Sequence, residues 1–173
     1  HNLITSKAVP QTVEREAGRA VETRVGHSFI KAVMAQEAAI FGGEHSAHYY
    51  FREFFNADTG MLAAMHVLAA LGGQEQPLSE LAAEYDPYFA SGEINSEVED
   101  KEGAASRVEA AFAEREVTVS RMDGLTISDA EGTWWFNLRP SNTEPFLRFN
   151  GEAYDQPTME QVRDEVLAII RQG

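Results

Sequence analysis

There is no cysteine among the 173 residues, so disulfides, thiolate metal sites and thiol nucleophiles are all excluded. Basic side chains are scarce as well: 14 Lys and Arg face 28 Asp and Glu, for a formal charge of −14. A surface of that sign does not bind nucleic acid or an anionic membrane broadly, because counterion release needs clustered Lys and Arg. Any bound anion must be held locally. Long apolar runs are missing too, the longest falling far short of the roughly 20 residues that span a bilayer. No basic stretch followed by an apolar run opens the chain, and the expected location is the cytoplasm. The chain starts His1-Asn2-Leu3-Ile4 without an initiator methionine, which raises the expectation that it is the back part of a longer protein.

What is there suits one ordinary domain or two small ones, since 43% apolar content can fill a core in each half. Residues 2 to 6 read as a short strand, Val9 to Ala17 as a helix opened by Pro10, and Val21 to Val25 as a half-buried strand by its alternation. Phe29, Ile30, Val33 and Met34 recur at helical spacing, and the apolar run Ala38 to Phe41 ends in Gly42-Gly43. This is an α/β layout, in which loops at strand ends hold ligands. Tyr49 to Arg52 reads as a strand. Asp58 can cap a helix whose Met61, Leu62, Met65, Leu68 and Leu71 form one apolar face. A short helix from Leu78 to Tyr85 follows, and Ala90-Ser91-Gly92 is the linker candidate. Behind it come a strand (Glu93 to Val98), a helix (Gly103 to Arg115), four strands (Val117 to Ser120, Leu125 to Ser128, Thr133 to Leu138, Phe146 to Asn150) and a last helix with Thr158 and Gln161 as its capping box. That order predicts an α+β domain with helices packed on an antiparallel sheet.

Two short runs carry the chemistry. Gly42-Gly43-Glu44-His45-Ser46-Ala47-His48 gathers a carboxylate, a hydroxyl and two imidazoles behind two glycines that let backbone turn and approach a ligand. Glu44 can accept two sugar hydroxyl protons, Ser46 can donate or accept, and His48 can exchange a proton near neutral pH, as general acid–base work on a hydroxyl requires. The same residues also fit a solvated polar turn, or a metal site on His45 and His48 with Glu44, although no H-E-x-x-H is present. Lys7 and His27 follow the first two strands and would share that sheet edge. The Gly26-His27-Ser28 run equally suits a helix start capped by Ser28.

The second run is Arg139-Pro140-Ser141-Asn142-Thr143-Glu144-Pro145. A guanidinium binds phosphate through two parallel hydrogen bonds, short donors and exposed backbone N–H groups complete an anion nest, and Arg148 on the next strand can add a second charge. The alternative is a self-bonded turn with Arg139 paired to Glu144 or Glu131.

With both runs in view, and with Thr23-Arg24-Val25-Gly26-His27-Ser28-Phe29-Ile30-Lys31 between residue 1 and the first of them, the chain resembles the C-terminal portion of the phosphomannomutase/phosphoglucomutases of the α-D-phosphohexomutase superfamily. The resemblance implies four domains around a cleft, with residues 1–90 as a third, sugar-binding α/β domain lacking its front part and residues 91–173 as a fourth, phosphate-binding α+β domain. It implies that Glu44 and Ser46 bind sugar hydroxyls beside Lys7, His27 and His48, and that Arg139, Ser141, Asn142, Thr143 and Arg148 hold the phosphate of a hexose phosphate. It implies a mutase that moves phosphate between C1 and C6 through a phosphoserine and a glucose or mannose 1,6-bisphosphate, with Mg²⁺ as cofactor. Neither the phosphoserine motif nor the Asp-rich Mg²⁺ loop of the family occurs in this sequence, so the chain alone is expected to be inactive and to hold no metal. Ala47 replaces a glycine common in the family and is expected to stiffen the turn. A non-catalytic sugar-phosphate-binding module and a metal-dependent hydrolase stand as alternatives. The missing front should leave an apolar face or sheet edge open, favouring self-association or disorder in residues 1–90 while the back domain stays compact.

Overall fold

In the front half, Ile30 and Met34 lie one turn apart on a helix and need an apolar partner, which Tyr50 supplies; these three side chains form one buried cluster with Ala39 against them, and Leu3, Ile4 and Ala8 are buried besides. The computed structural model describes residues 1–141 and 144–172 and divides into two units, His1–Pro87 and Tyr88–Gly173. The front unit contains α1 (Ala8–Arg15), α2 (His27–Glu37), β1 (Phe41–Gly43), β2 (Tyr49–Phe51), β3 (Ala57–Asp58), α3 (Gly60–Gly72) and α4 (Leu78–Ala83). Its strands pair antiparallel in the order β1-β2-β3, with Gly42 opposite Tyr50 and Tyr50 opposite Asp58. Gly42 and Tyr50 therefore share the face that α2 covers. A Cβ on Gly42 would stand 2.7 Å from Met34 Sδ and 3.3 Å from Ile30 Cδ1. This glycine makes room for a helix, which corrects its reading as a turn residue brought close to a ligand.

The strands expected at residues 2 to 6 and Val21 to Val25 are reduced to one parallel bridge, Asn2 with Thr23. Asn2 ends its own strand: its carbonyl accepts from Thr5 N at 3.1 Å and its side-chain oxygen from Thr5 Oγ1 at 2.8 Å, which turns the chain. The order of the sheet edge survives, because Leu3 N donates to Thr23 O at 3.0 Å and Asn2 N to Gly43 O at 3.3 Å.

Helix α3 is capped by Thr59, whose hydroxyl accepts from Leu62 N at 3.3 Å, and not by Asp58. Its expected apolar face divides. Leu62 and Leu71 are half-buried, while Met61, Met65 and Leu68 are 78%, 60% and 64% exposed. An open groove of about 1250 Å³ runs along it, lined on the sheet side by Ile40, Phe41, Tyr49 and Phe51.

The back unit contains β4 (Phe89–Ala90), β5 (Ile94–Glu97), α5 (Lys101–Phe112), β6 (Val117–Ser120), β7 (Leu125–Asp129), β8 (Trp134–Pro140), β9 (Phe146–Ala153) and α6 (Gln156–Ile170). The sheet runs β4-β9-β8-β7-β6, with β5 also on β9, all antiparallel. Alternation sends Leu125, Ile127, Phe136, Leu138, Leu147 and Phe149 into one core with Val108 and Phe112 of α5 and Val162, Val166 and Ile170 of α6. Thus the α/β character holds in front and helices on an antiparallel sheet behind.

Three local readings change. Ala90-Ser91-Gly92 is no free linker: Phe89 and Ala90 pair with Ala153 and Glu152, and Ser91 N donates to Gly151 O at 2.8 Å. That pairing is remote in sequence, so no local composition announces it. Helix α5 starts earlier than expected because Asp100 caps it, accepting from Gly103 N at 2.8 Å. Helix α6 begins at Gln156, capped by Asp155 through Thr158 N at 2.8 Å, with Pro157 in its first turn in place of the Thr158–Gln161 box. Among the described residues no helix is long and apolar enough to cross a membrane.

Candidate functional site

The front-unit loop is a tight connection of β1 to β2, closed by Glu44 N donating to His48 O and Ala47 N to Glu44 O, each at 3.0 Å. Closure drives Ala47 to φ 62°, the left-handed region, where a Cβ costs about 1–2 kcal/mol. The alanine therefore strains the turn, beyond the simple stiffening expected of it. His45, Ser46 and His48 are exposed at the surface.

Glu44 is buried, at 7% exposure. Its Oε1 accepts from Tyr50 Oη at 2.5 Å, and its Oε2 accepts from Gly26 N at 3.2 Å and Asn2 Nδ2 at 3.4 Å. Burial, and then the bond to this carboxylate, push the Tyr50 hydroxyl well above its ordinary pKa, so it stays a donor. The carboxylate ties together the segment after Asn2, the segment after Thr23 and the end of β1. It thereby joins the segments that lead to Lys7 and His27 to the loop. Lys7 is half-buried just before α1. His27 is exposed and is the first residue of α2, which Gly26 caps in place of Ser28.

His48 pairs with Asp58 on the neighbouring strand. Its Nδ1 lies 2.7 Å from Asp58 Oδ2, and Asp58 Oδ1 accepts from Tyr49 N at 2.9 Å. The bond to Asp58 raises the imidazole pKa above its ordinary value, and the same bond, then the Tyr49 amide, lowers the carboxyl. Glu44, His45 and His48 do not converge as metal ligands, and no cluster of three His, Asp or Glu fit for a metal occurs among the described residues. Tyr50 and Asp58 were missed in the sequence reading. For Tyr50 the usable signal is alternation along β2, which places it on the loop's inner face; for Asp58 it is a carboxylate returning on the neighbouring strand.

In the back unit, β8 and β9 set Arg139 directly opposite Arg148, on the sheet face away from the helices. Arg139 Nε is buried without a hydrogen-bond partner, and among the described residues Arg139 has no carboxylate partner. The alternative pairing with Glu144 fails because Glu144 goes to Arg148, whose Nη2 donates to Glu144 Oε2 at 3.0 Å and whose Nη1 lies 3.4 Å from Glu93 Oε1. Ser141 is buried, and its Oγ accepts from Glu144 N at 3.2 Å and Arg148 Nη2 at 3.4 Å. The loop thus brings Arg139, Ser141 and Arg148 together. Asn142 and Thr143 lie outside the described residues. Behind the arginines the same face carries Asn137 opposite Asn150, and Trp135 Nε1 donating to Glu152 Oε2 at 2.8 Å.

Residues 1–88 match a family profile described as phosphoglucomutase/phosphomannomutase, alpha/beta/alpha domain III, and residues 93–169 one described as the phosphoglucomutase/phosphomannomutase C-terminal domain. A phosphomannomutase of Methanocaldococcus jannaschii is 39% identical over 170 residues, covering 98% of this chain and 37% of the relative. One of Salmonella typhimurium is 45% identical over 162 residues, covering 92% and 35% respectively. A crystal structure of a phosphoglucomutase/phosphomannomutase family protein from Burkholderia thailandensis superposes with a TM-score of 0.82 over 99% of this chain and 37% of its own, at 21% identity, which is a likeness of fold. The chain spans little more than a third of the curated relatives it matches.

Proposed function

The chain belongs to the phosphoglucomutase/phosphomannomutase family, and from that premise we propose that it is the substrate-recognition part of a phosphohexomutase. The parent moves phosphate between C1 and C6 of a hexose phosphate. On this reading Arg139, Ser141 and Arg148, with Asn142 and Thr143, hold the phosphate dianion; Glu44 and Ser46, beside Lys7 and His27, take sugar hydroxyls; and His48 exchanges the hydroxyl proton. Glu44 already accepts three internal hydrogen bonds, so it offers a sugar its remaining lone pair on Oε1 and, above all, a fixed loop.

Mg²⁺, the phosphoserine and the bisphosphate intermediate belong to the parent's chemistry. No three carboxylates or imidazoles among the described residues fit Mg²⁺ here, and the ion would be held outside this chain. A domain division near residue 90 and a cytoplasmic location go with the same reading.

The observation that carries the proposal is the arginine pair. In a chain of charge −14, two arginines stand opposite each other on paired strands beside a buried serine, and among the described residues Arg139 forms no salt bridge. That concentration of positive charge on an acidic protein favours a locally held anion and supports the reading. Calorimetry with mannose 1-phosphate should show binding without turnover by the 173-residue chain, and Arg139→Ala should weaken it at least about tenfold, the loss of one charge-assisted bond. Unchanged affinity in Arg139→Ala would remove the phosphate role, and turnover by the chain alone would remove the division of labour.

A further inference from the structure

Asp58 stands where the front unit spends backbone strain. After β2 the chain makes one turn of 3₁₀ helix (Arg52–Phe54) and then two consecutive left-handed residues, Phe55 at φ 60° and Asn56 at φ 51°. Asn56 N donates to Phe51 O at 3.0 Å and Thr59 N to Tyr49 O at 2.9 Å, which closes the turn and lays β3 along β2. The carboxylate that arrives there is released from helix capping, because Thr59 does that work for α3. Both its oxygens are engaged instead at the loop, one by the Tyr49 amide and one by His48 Nδ1. Two contacts of different direction stop the carboxylate from rotating, and a carboxylate can only accept, so His48 Nδ1 carries the proton and donates. The other ring nitrogen, Nε2, is left as the basic atom of a half-exposed side chain.

We propose that Asp58 is the positioning residue of a His48–Asp58 dyad that holds the imidazole as its Nδ1–H tautomer and aims Nε2 at a substrate hydroxyl. The inference rests on the reading of His48 as the proton carrier. In the step concerned the hydroxyl O–H bond breaks and an Nε2–H bond forms, while the substrate oxygen keeps the electron pair. The imidazolium charge so created is balanced by the Asp58 carboxylate, which stays ionised, and the proton returns to oxygen when the hydroxyl is regenerated. The carboxylates bearing on the ring are Asp58 and, more weakly, Glu44, and both favour the charged ring.

The test is Asp58→Asn, which keeps the shape and removes the charge. Nitrogen-detected NMR of the 173-residue chain should show His48 protonated on Nδ1 and titrating above 6.5, with Asp58→Asn bringing the midpoint to 6.5 or lower and mixing the tautomers. In the mutase-length polypeptide the same variant should lower kcat at least about tenfold with KM unchanged and move the acidic limb of the kcat/KM profile to lower pH, and Asp58→Glu should recover part of the rate. An unchanged titration and tautomer in Asp58→Asn would overturn the dyad whatever the protein does. A shifted titration with unchanged kcat would overturn the positioning role. Full turnover in His48→Ala would strike the proton-carrier reading and the role of Asp58 with it, while the NMR arm still reports whether the pair exists.

Discussion

The two units are almost equal in length and both hold helices against antiparallel strands, yet they bury their apolar residues very differently. The back unit closes fourteen buried side chains into one core. The front unit gathers three around α2, with Leu3, Ile4 and Ala8 buried besides, and of the sixteen large apolar side chains exposed among the described residues, twelve are in His1–Pro87. Apolar spacing along a helix is the same signal in both. It states that a face wants covering and says nothing of what covers it, and in α3 the described residues leave Met61, Met65 and Leu68 open. The back unit should therefore unfold cooperatively, while the front unit opens first.

Removal of a central ring is the largest expected effect. Phe136→Ala should destabilise the back unit by about 3–5 kcal/mol, since the ring is fully buried against Phe112 and Phe149. Both tryptophans are in β8, so fluorescence in a urea titration reports this unit by itself. A loss below about 1 kcal/mol would break the comparison. Next comes Gly124→Ala, expected to cost about 2–4 kcal/mol by the same assay, because φ is +75° there and a Cβ would stand 2.2 Å from Leu138 O. In the front unit Ala47→Gly should run the other way, gaining about 1 kcal/mol, read as slower amide exchange across β1 and β2.

A smaller effect is expected from pH. The His48 pKa is raised in the folded unit, so its contribution is complete below 6.5 and fades as pH rises through the folded value; that of Asp58 is lowered, so its contribution is complete above 3.8 and fades on acidification. Front-unit protection should peak between those limits, and Asp58→Asn should flatten the peak. Least of all, Leu68→Ser should change stability by no more than about 0.5 kcal/mol, since the side chain is 64% exposed; if the chain self-associates through the open face of α3, the same variant should weaken that association in sedimentation, and an unchanged sedimentation profile would count against that face.

Much of this was legible in the sequence where the signal is local. The periodicity of Ile30 and Met34, the alternation of Leu125 and Ile127, and the clustering of Arg139 with Ser141 need few distant facts. What the sequence did not disclose depends on partners far along the chain. Ala90 looks like linker until β9 is beside it. Asp58 looks like a cap for the helix that follows it, since nothing local says that Thr59 takes that place and frees the carboxylate for a histidine ten residues earlier. Gly42 looks like loop chemistry and turns out to serve the packing of α2. The strand at Asn2 was overread because its own side chain ends it. Glu44 was read as a free clamp, whereas burial makes it first the knot of its loop.

The facing of Arg139 and Arg148 has a thermodynamic consequence. Like charges directly opposite on paired strands weaken the pair, and Glu93 and Glu144 relieve one member only. An anion that settles there repays the folded state for a repulsion it otherwise carries, so the melting point of the back unit becomes a gauge of occupancy. Each tenfold rise in phosphate ester beyond its dissociation constant should add about 1.4 kcal/mol. If the proposed phosphate role is right, the β8–β9 hairpin reports its own occupancy, readable by heat alone and independent of any reaction.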